Sequence, residues 1–332
     1  MNDQNKLGIA LVGLGTYATE QLAPALKQTK HCYLAAIVTG SQEKAGKFRK
    51  EYNISYTNVY NYSNFDEISD NSDIDIIYIV LPNAMHEEYV IRAAKAGKHI
   101  ICEKPMAITV EQCDRMIAAC REAGVMLSIG YRLHFEPYNM EMMRLGNEEV
   151  YGKVKKLKAE NGMAEVKGWR LDKQLAGGGP LMDVGIYCVQ GCRYTLDKEP
   201  VAVTAQEGPK TDAEKFKSVE QSLTWQMEFP GGEIAECKTS YAEDMNVLRA
   251  EAANGWFEIS PAYEYKGLRG RTSDGEMDLP EINQQAAQMD GIALAIKEGR
   301  PSPVPGEMGR QDVQILQAIY EAARSGQRVA IS

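Results

Sequence analysis

The segment Gly13-Leu14-Gly15-Thr16-Tyr17-Ala18 follows directly on the apolar run Leu7-Gly8-Ile9-Ala10-Leu11-Val12 and precedes a helical pattern through Leu22, Ala25 and Leu26. A buried strand that ends in G-x-G-x-x-A and turns into a helix restricts the fold severely. Gly13 permits the tight turn, Gly15 lets the backbone approach a pyrophosphate, and Ala18 lets the helix pack closely on the strand. The helix start offers N–H groups and a partial positive charge to phosphates. Taken alone, the pattern also fits a glycine-rich turn in any α/β domain. The segments that follow decide in favour of a nucleotide. Strand signals at 33–38, 74–81, 99–102 and 126–130 alternate with helix signals at 43–52, 86–96 and 109–123. The run 74–81 is nearly all apolar and β-branched, as a strand buried on both faces requires. This alternation predicts a parallel sheet with helices on both sides, a Rossmann dinucleotide-binding domain over 1–130.

Beyond residue 130 the rhythm changes. Strand-like stretches at 154–161, 201–207, 220–229, 234–241 and 248–252 follow one another, with Pro230-Gly231-Gly232 as hairpin punctuation. They predict an α+β domain over 131–332 with a large, mostly antiparallel open sheet, framed by helices at about 180–196, 283–298 and 309–325. A chain of 332 residues is too long for one ordinary core and suits this division. A net charge of −9 argues against nucleic-acid partners. It also argues against an anionic membrane surface, and no apolar run spans a bilayer. The polar start, with no apolar signal core, leads to the expectation of a cytoplasmic protein. Seven cysteines without C-x-x-C spacing and four histidines read as structural, with no metal site.

The end of the second strand bears on the nucleotide. An NAD site usually carries Asp or Glu there; here stand Val38-Thr39-Gly40-Ser41, with no carboxylate. Ser41 can donate to a 2′-phosphate and Lys44 can neutralise it, so NADP is expected over NAD, although Glu43 weighs the other way.

Two further segments are chemically loaded. Glu103-Lys104-Pro105 stands at the carboxyl end of a strand, where ligands of open α/β sheets sit. Gly177-Gly178-Gly179-Pro180 leads into a helical stretch with Asp183 and Tyr187 four residues apart on one face. On spacing alone Lys104 reads as a solvent-facing cation, Asp183 as a helix-start residue and Tyr187 as a core residue.

The ordered set GLGTYA, CEKP and AGGGPLMDVGIY resembles the Gfo/Idh/MocA oxidoreductases, and within them the glucose–fructose oxidoreductase branch with its aldose dehydrogenases. Supporting segments, among them YIVLPNAMH, IGYRLHFEP and WRLDKQL, spread the resemblance over nearly the whole chain. It implies Lys104 and Tyr187 as the catalytic pair with Asp183 beside them. A free phenol ionises near pH ~10 and is a poor base at neutrality; an adjacent ammonium stabilises the phenolate and makes general base catalysis effective. Tyr187 then takes the proton from a sugar C1 hydroxyl as hydride leaves for the nicotinamide. The resemblance assigns Gly13, Leu14, Gly15, Thr16, Tyr17, Ser41 and Lys44 to the adenine end of NADP. Tyr60, Leu81, Pro82, Asn83, His86, Glu103, Lys104, Arg132, Trp169 and Arg170 line the way to the nicotinamide. The second domain is then the substrate-binding and oligomerisation domain, forming a homodimer or homotetramer through its sheet. The implied function is an NADP-dependent aldose oxidoreductase. Alternatives are a dehydrogenase or reductase of inositol, an anhydro sugar or a dihydrodiol, and a non-catalytic NADP-binding sensor. The branch's secreted member retains its cofactor with an N-terminal arm; the few residues ahead of the first strand here leave release or retention open.

Overall fold

The computed structural model describes residues 6–331; the polar start at residues 1–5 and Ser332 lie outside the described residues. The chain forms two compact units. One runs through Arg132 and takes back Asn283–Arg310; the other comprises Leu133–Ile282 and the chain from Gln311 onward.

The first unit is built on β1 (Leu7–Val12), β2 (Cys32–Val38), β3 (Val59–Tyr60), β4 (Ile76–Ile79), β5 (His99–Cys102) and β6 (Leu127–Ile129), in the order β3-β2-β1-β4-β5-β6. All five pairings are parallel. Ile9–Val12 and Ile76–Ile79 are wholly buried, which accounts for their unbroken apolar character. A π-helical turn Ala18–Leu22 runs into α1 (Ala23–Leu26), and α2 (Gln42–Glu51), α3 (His86–Lys95) and α4 (Val110–Glu122) complete the crossovers. Ser41 caps α2 by accepting the Lys44 N–H, and Thr109 with Gln112 forms a capping box on α4. The strand order reverses between β1 and β4, so a crevice opens beyond their carboxyl ends.

The second unit carries a nine-stranded sheet: β7 (Val154–Gly162), β8 (Ala202–Glu207), β9 (Ser222–Glu228), β10 (Ile234–Ser240), β11 (Met245–Ala252), β12 (Gly255–Ile259), β13 (Gly270–Thr272), β14 (Gly275–Glu276) and β15 (Val329–Ala330). The order is β14-β13-β12-β11-β7-β10-β9-β8-β15, antiparallel except for the central β7–β10 pair. Alternation assigns the faces. Leu157, Trp225, Met227, Leu248 and Phe257 point into a core with α5 (Pro137–Asn147), and α7 (Ile186–Leu196) also packs there; α6 (Lys173–Ala176) precedes the glycine triplet. The opposite face is a ladder of ion pairs, such as Lys156–Glu236 at 2.7 Å and Lys158–Glu160 at 3.0 Å.

Near the C-terminus the chain re-enters the first unit through α8 (Gln284–Lys297). There Asp290 accepts the backbone N–H of Lys30 at 2.9 Å and of His31 at 2.7 Å, closing the turn before β2. The next helix, α9 (Gly306–Ser325), gives Ile315, Leu316 and Ile319 to the core of the second unit. The sequence places everything beyond 130 in one domain; the structure returns 283–310 to the other, through side-chain contacts far apart in sequence. It also contains α5 and β12–β14, which no strong periodicity announces. Among the described residues no helix is long and apolar enough to cross a membrane.

Candidate functional site

In the first unit the nucleotide-loop residues stand between β1 and the π-helical turn Ala18–Leu22. Gly13 sits at φ +93°, and its N–H donates to the Val38 carbonyl at 3.0 Å. A Cβ there would come within 2.5 Å of the Val80 carbonyl oxygen, so only glycine lets β1 turn away beside β4. Gly15 has the opposite surroundings: a Cβ would meet no atom within 4 Å. Its lack of a side chain serves no packing need and leaves an open cradle above the loop. Ala18 is fully buried, and Gly15 and Thr16 are exposed with Tyr17 half-buried beside them.

Beyond β2, the Thr39 hydroxyl accepts the Ser41 N–H at 3.2 Å, and the Lys44 ammonium reaches back to the Leu14 carbonyl at 2.8 Å. Lys44, although exposed, therefore reaches over the glycine loop. Tyr60 is buried, its hydroxyl accepting from Asn71 at 2.9 Å.

The loops after β4 and β5 are tied together by His86. Its Nε2 lies 2.9 Å from the Leu81 carbonyl, and its Nδ1 lies 3.0 Å from the Pro105 carbonyl. Burial holds this imidazole below its ordinary pKa, although the carbonyl oxygens pull the other way. Pro82 and the buried Asn83 start the short helix before α3. Glu103 is buried behind Lys104. Its carboxylate accepts the Tyr78 hydroxyl at 2.7 Å and the Lys104 N–H at 3.3 Å, and Gln288 donates to the Tyr78 oxygen at 2.7 Å. Burial raises the Glu103 pKa, offset by Tyr78, Lys104 and Arg132. A Cβ on Gly130 would stand 2.6 Å from the carboxylate, so this glycine makes room for it. Lys104 is half-buried; Arg132 is buried and donates to Gln284.

The second unit presents Asp183 and Tyr187. Gly177 closes α6 at φ +79°, and the chain then enters a π-helical stretch, Leu181–Gly185, before α7. The sequence suggests one regular helix here; apolar periodicity does not reveal one widened turn. The Asp183 Oδ2 accepts the Arg170 Nε–H at 2.7 Å and the Tyr241 hydroxyl at 3.0 Å. Arg170 also lies 5.0 Å from the Trp169 ring centroid, so these two residues brace the Asp183 side chain. Tyr187 is half-buried and stacks on Tyr263, with ring centroids 6.0 Å apart. Tyr78, Gln288 and Tyr241 are absent from the sequence-derived set: an aromatic or amide inside an apolar strand or helix looks like core until its partner is seen.

Residues 7–131 match the oxidoreductase family with an NAD-binding Rossmann fold, and residues 140–258 match the GFO/IDH/MocA C-terminal domain. The crystal structure of an aldose-aldose oxidoreductase from Caulobacter crescentus is 41% identical, with a TM-score of 0.96 over 98% of this chain and 99% of that one. A D-xylose 1-dehydrogenase [NADP(+)] from Haloarcula marismortui is 29% identical over 98% of this chain and 94% of its own. A 1,5-anhydro-D-fructose reductase from Ensifer adhaerens is 26% identical over 97% of both chains. The protein, with its glycine loop, Glu103-Lys104-Pro105 strand end and two-unit fold, belongs to the Gfo/Idh/MocA oxidoreductase family.

Proposed function

We propose that this oxidoreductase uses NADP to oxidise an aldose at C1 to the lactone, or runs the reverse reaction on a ketose. The observation that carries the reading is the Asp183–Tyr187 arrangement. A phenol and a carboxylate lie one turn apart on a glycine-led helix, and Arg170 and Tyr241 fix the carboxylate. Such a pair suits a substrate that presents several hydroxyl groups and must lose one proton to a defined base. The end-to-end likeness to an aldose-aldose oxidoreductase supports an aldose over another polyol.

The residues present fit the cofactor. The cradle over Gly15 admits a pyrophosphate, and Ser41 with Lys44 at the loop suits a 2′-phosphate where no carboxylate competes. Leu81, Pro82, Asn83, His86 and Glu103 stand on the segments that follow β4 and β5, where the nicotinamide half of the cofactor would lie, His86 being fully buried behind them. Bound NADP supplies the hydride acceptor. The Tyr187 phenolate, stabilised by the Lys104 ammonium, takes the proton of the C1 hydroxyl and becomes the phenol as hydride leaves C1, and Asp183 orients the substrate by accepting from its hydroxyl groups. The unit built on β1–β6 serves the cofactor, and the unit built on β7–β15 serves the sugar and assembly. A second copy on the ion-pair face of the nine-stranded sheet gives a homodimer or homotetramer.

Initial rates of NADP reduction over a panel of aldoses, inositols and anhydro sugars test this reading. Turnover of an aldose supports it. Turnover confined to another polyol, or none at all, overturns it. Light scattering of the purified protein tests assembly, and a monomer refutes it.

A further inference from the structure

Outside the residues assigned to chemistry, a buried carboxylate touches the start of the helix that carries Asp183 and Tyr187. Glu220, only 6% exposed and just ahead of β9, accepts the Gly179 N–H at 3.0 Å, the Leu181 N–H at 3.2 Å and the Tyr320 hydroxyl of α9 at 2.8 Å. The fit is close on every side. A Cβ on Gly178 would stand 2.0 Å from the Tyr320 oxygen, and one on Gly179 would stand 2.6 Å from the Glu220 carbonyl oxygen. Two more side chains grip the same segment: Thr239 donates to the Pro180 carbonyl at 3.2 Å and Asn161 to the Val184 carbonyl at 3.0 Å.

These contacts surround the π-helical turn Leu181–Gly185. A π turn closes i→i+5 bonds and is less favourable than the α-helix it interrupts, so it persists where its surroundings impose it. The opening N–H groups of a helix have no partner within it, and here Glu220 takes two of them. If the turn relaxed to α-helical register, one residue would be displaced. That displacement rotates the segment before it relative to Tyr187 by about 100°, carrying Asp183 away from Arg170 and Tyr241.

We infer that Glu220, locked by Tyr320, is a positioning residue that holds the π-helical register in which Asp183 and Tyr187 act together. This inference rests on the proposed role of Tyr187 and Asp183 for its kinetic consequence only; the register can be read without any substrate. Burial raises the Glu220 pKa, against the hydrogen bonds it accepts, so the carboxylate occupies this place at a cost in desolvation.

The test uses the full chain with Glu220→Ala, Glu220→Gln and Tyr320→Phe. In Glu220→Ala, kcat on the preferred sugar falls on the order of 100-fold, with NADPH affinity unchanged because the nucleotide loop is untouched. Glu220→Gln, whose amide oxygen still accepts from the backbone, recovers most of the rate, and Tyr320→Phe lies between. A purely structural role would lower the melting temperature of all three and leave kcat per folded molecule unchanged; that outcome overturns the inference. A crystal structure of Glu220→Ala supplies the substrate-free readout. An α-helical turn at 181–185 supports the inference, and a retained π turn with Asp183 still on Arg170 and Tyr241 refutes it. Should the wild type turn over no sugar, the proposed function fails, and the crystal structure still decides the register.

Discussion

Two glycines of one loop should respond to alanine in opposite ways, because one is required by the fold and the other only by a ligand. At Gly13 alanine faces two penalties. A positive φ costs a side-chain-bearing residue ~1–2 kcal/mol. The new Cβ also lies 2.5 Å from the Val80 carbonyl oxygen, so that backbone must move and weaken the Val80 N–H bond to Val12, now 2.8 Å. Loss of that bond adds ~1 kcal/mol. The sum, about 2–3 kcal/mol, should lower the melting temperature by roughly 4–12 °C. At Gly15 the Cβ meets nothing within 4 Å, so Gly15→Ala should melt like the wild type. It should instead hold the pyrophosphate off the backbone. Losing one charge-assisted hydrogen bond of about 1.5–3 kcal/mol weakens NADPH binding on the order of 10–100-fold. Thermal melting with and without NADPH, beside a fluorescence titration, measures both effects. A Gly15→Ala variant that binds NADPH as tightly as wild type would falsify the placement of the pyrophosphate. A Gly13→Ala variant with unchanged melting would show that the steric reasoning is wrong.

Tyr187→Phe and Lys104→Met should each reduce kcat by about 10²–10⁴-fold while NADPH titrations stay normal for Tyr187→Phe; equal turnover by Tyr187→Phe refutes its acid/base role. Lys44→Ala removes the ammonium that lies over Leu14 and should weaken NADPH on the order of tenfold, leaving NADH unaffected; equal losses for both would place the 2′-phosphate elsewhere. Gly178→Ala should be destabilised by its 2.0 Å contact with the Tyr320 oxygen, and Tyr320→Phe, which removes that oxygen, should recover part of the loss; strict additivity in a double-mutant cycle would contradict the contact. Burial lowers the pKa of His134 below its ordinary 6.5, so as pH falls through that value the unfolded chain binds a proton that the folded chain does not. Stability is then present above about pH 6.5 and declines below it; His134→Phe should flatten the decline in melting temperature, and parallel curves for the two proteins would refute the assignment.

The alternation of β1, β2, β4, β5 and β6 with helices was legible because these strands are largely buried apolar runs set between glycines and caps, whereas β3, only Val59–Tyr60, is too short to leave a pattern. Gly13 and Glu103 were legible as residue types at strand ends, and Lys44 as a cation in the first turn of the helix after β2, positions that sequence order alone defines. What escaped depends on contacts between distant residues. Nothing near Glu220 foretells Tyr320, 100 residues later, and nothing near Arg170 foretells that it meets Asp183. The π turn escaped for a different reason. Apolar spacing reports which side of a helix is buried, but one widened turn shifts that spacing by a single residue, and the run Leu181, Met182, Ile186 fits either register. The return of 283–310 was hidden because Gln284, Gln285 and Gln288 are polar in sequence and buried in fact, so the helix lacked the apolar stripe that marks a packed face.

The same device appears once in each unit. Glu103 and Glu220 are both buried carboxylates bonded to a tyrosine hydroxyl, from Tyr78 and Tyr320 respectively. Each lies against a glycine whose Cβ would strike it, Gly130 in one unit and Gly179 in the other. Each accepts a backbone N–H from the segment that presents a proposed catalytic group, Lys104 in one case and the approach to Tyr187 in the other. A leucine would fill either space without the desolvation that raises both carboxyl pKa values. It could not accept a backbone N–H. The common chemistry of the two sites therefore lies in fixing main-chain geometry, and stability alone would be served as well by an apolar side chain. On that reasoning the precision of the catalytic residues is set by buried carboxylates that hold the main chain on which those residues stand.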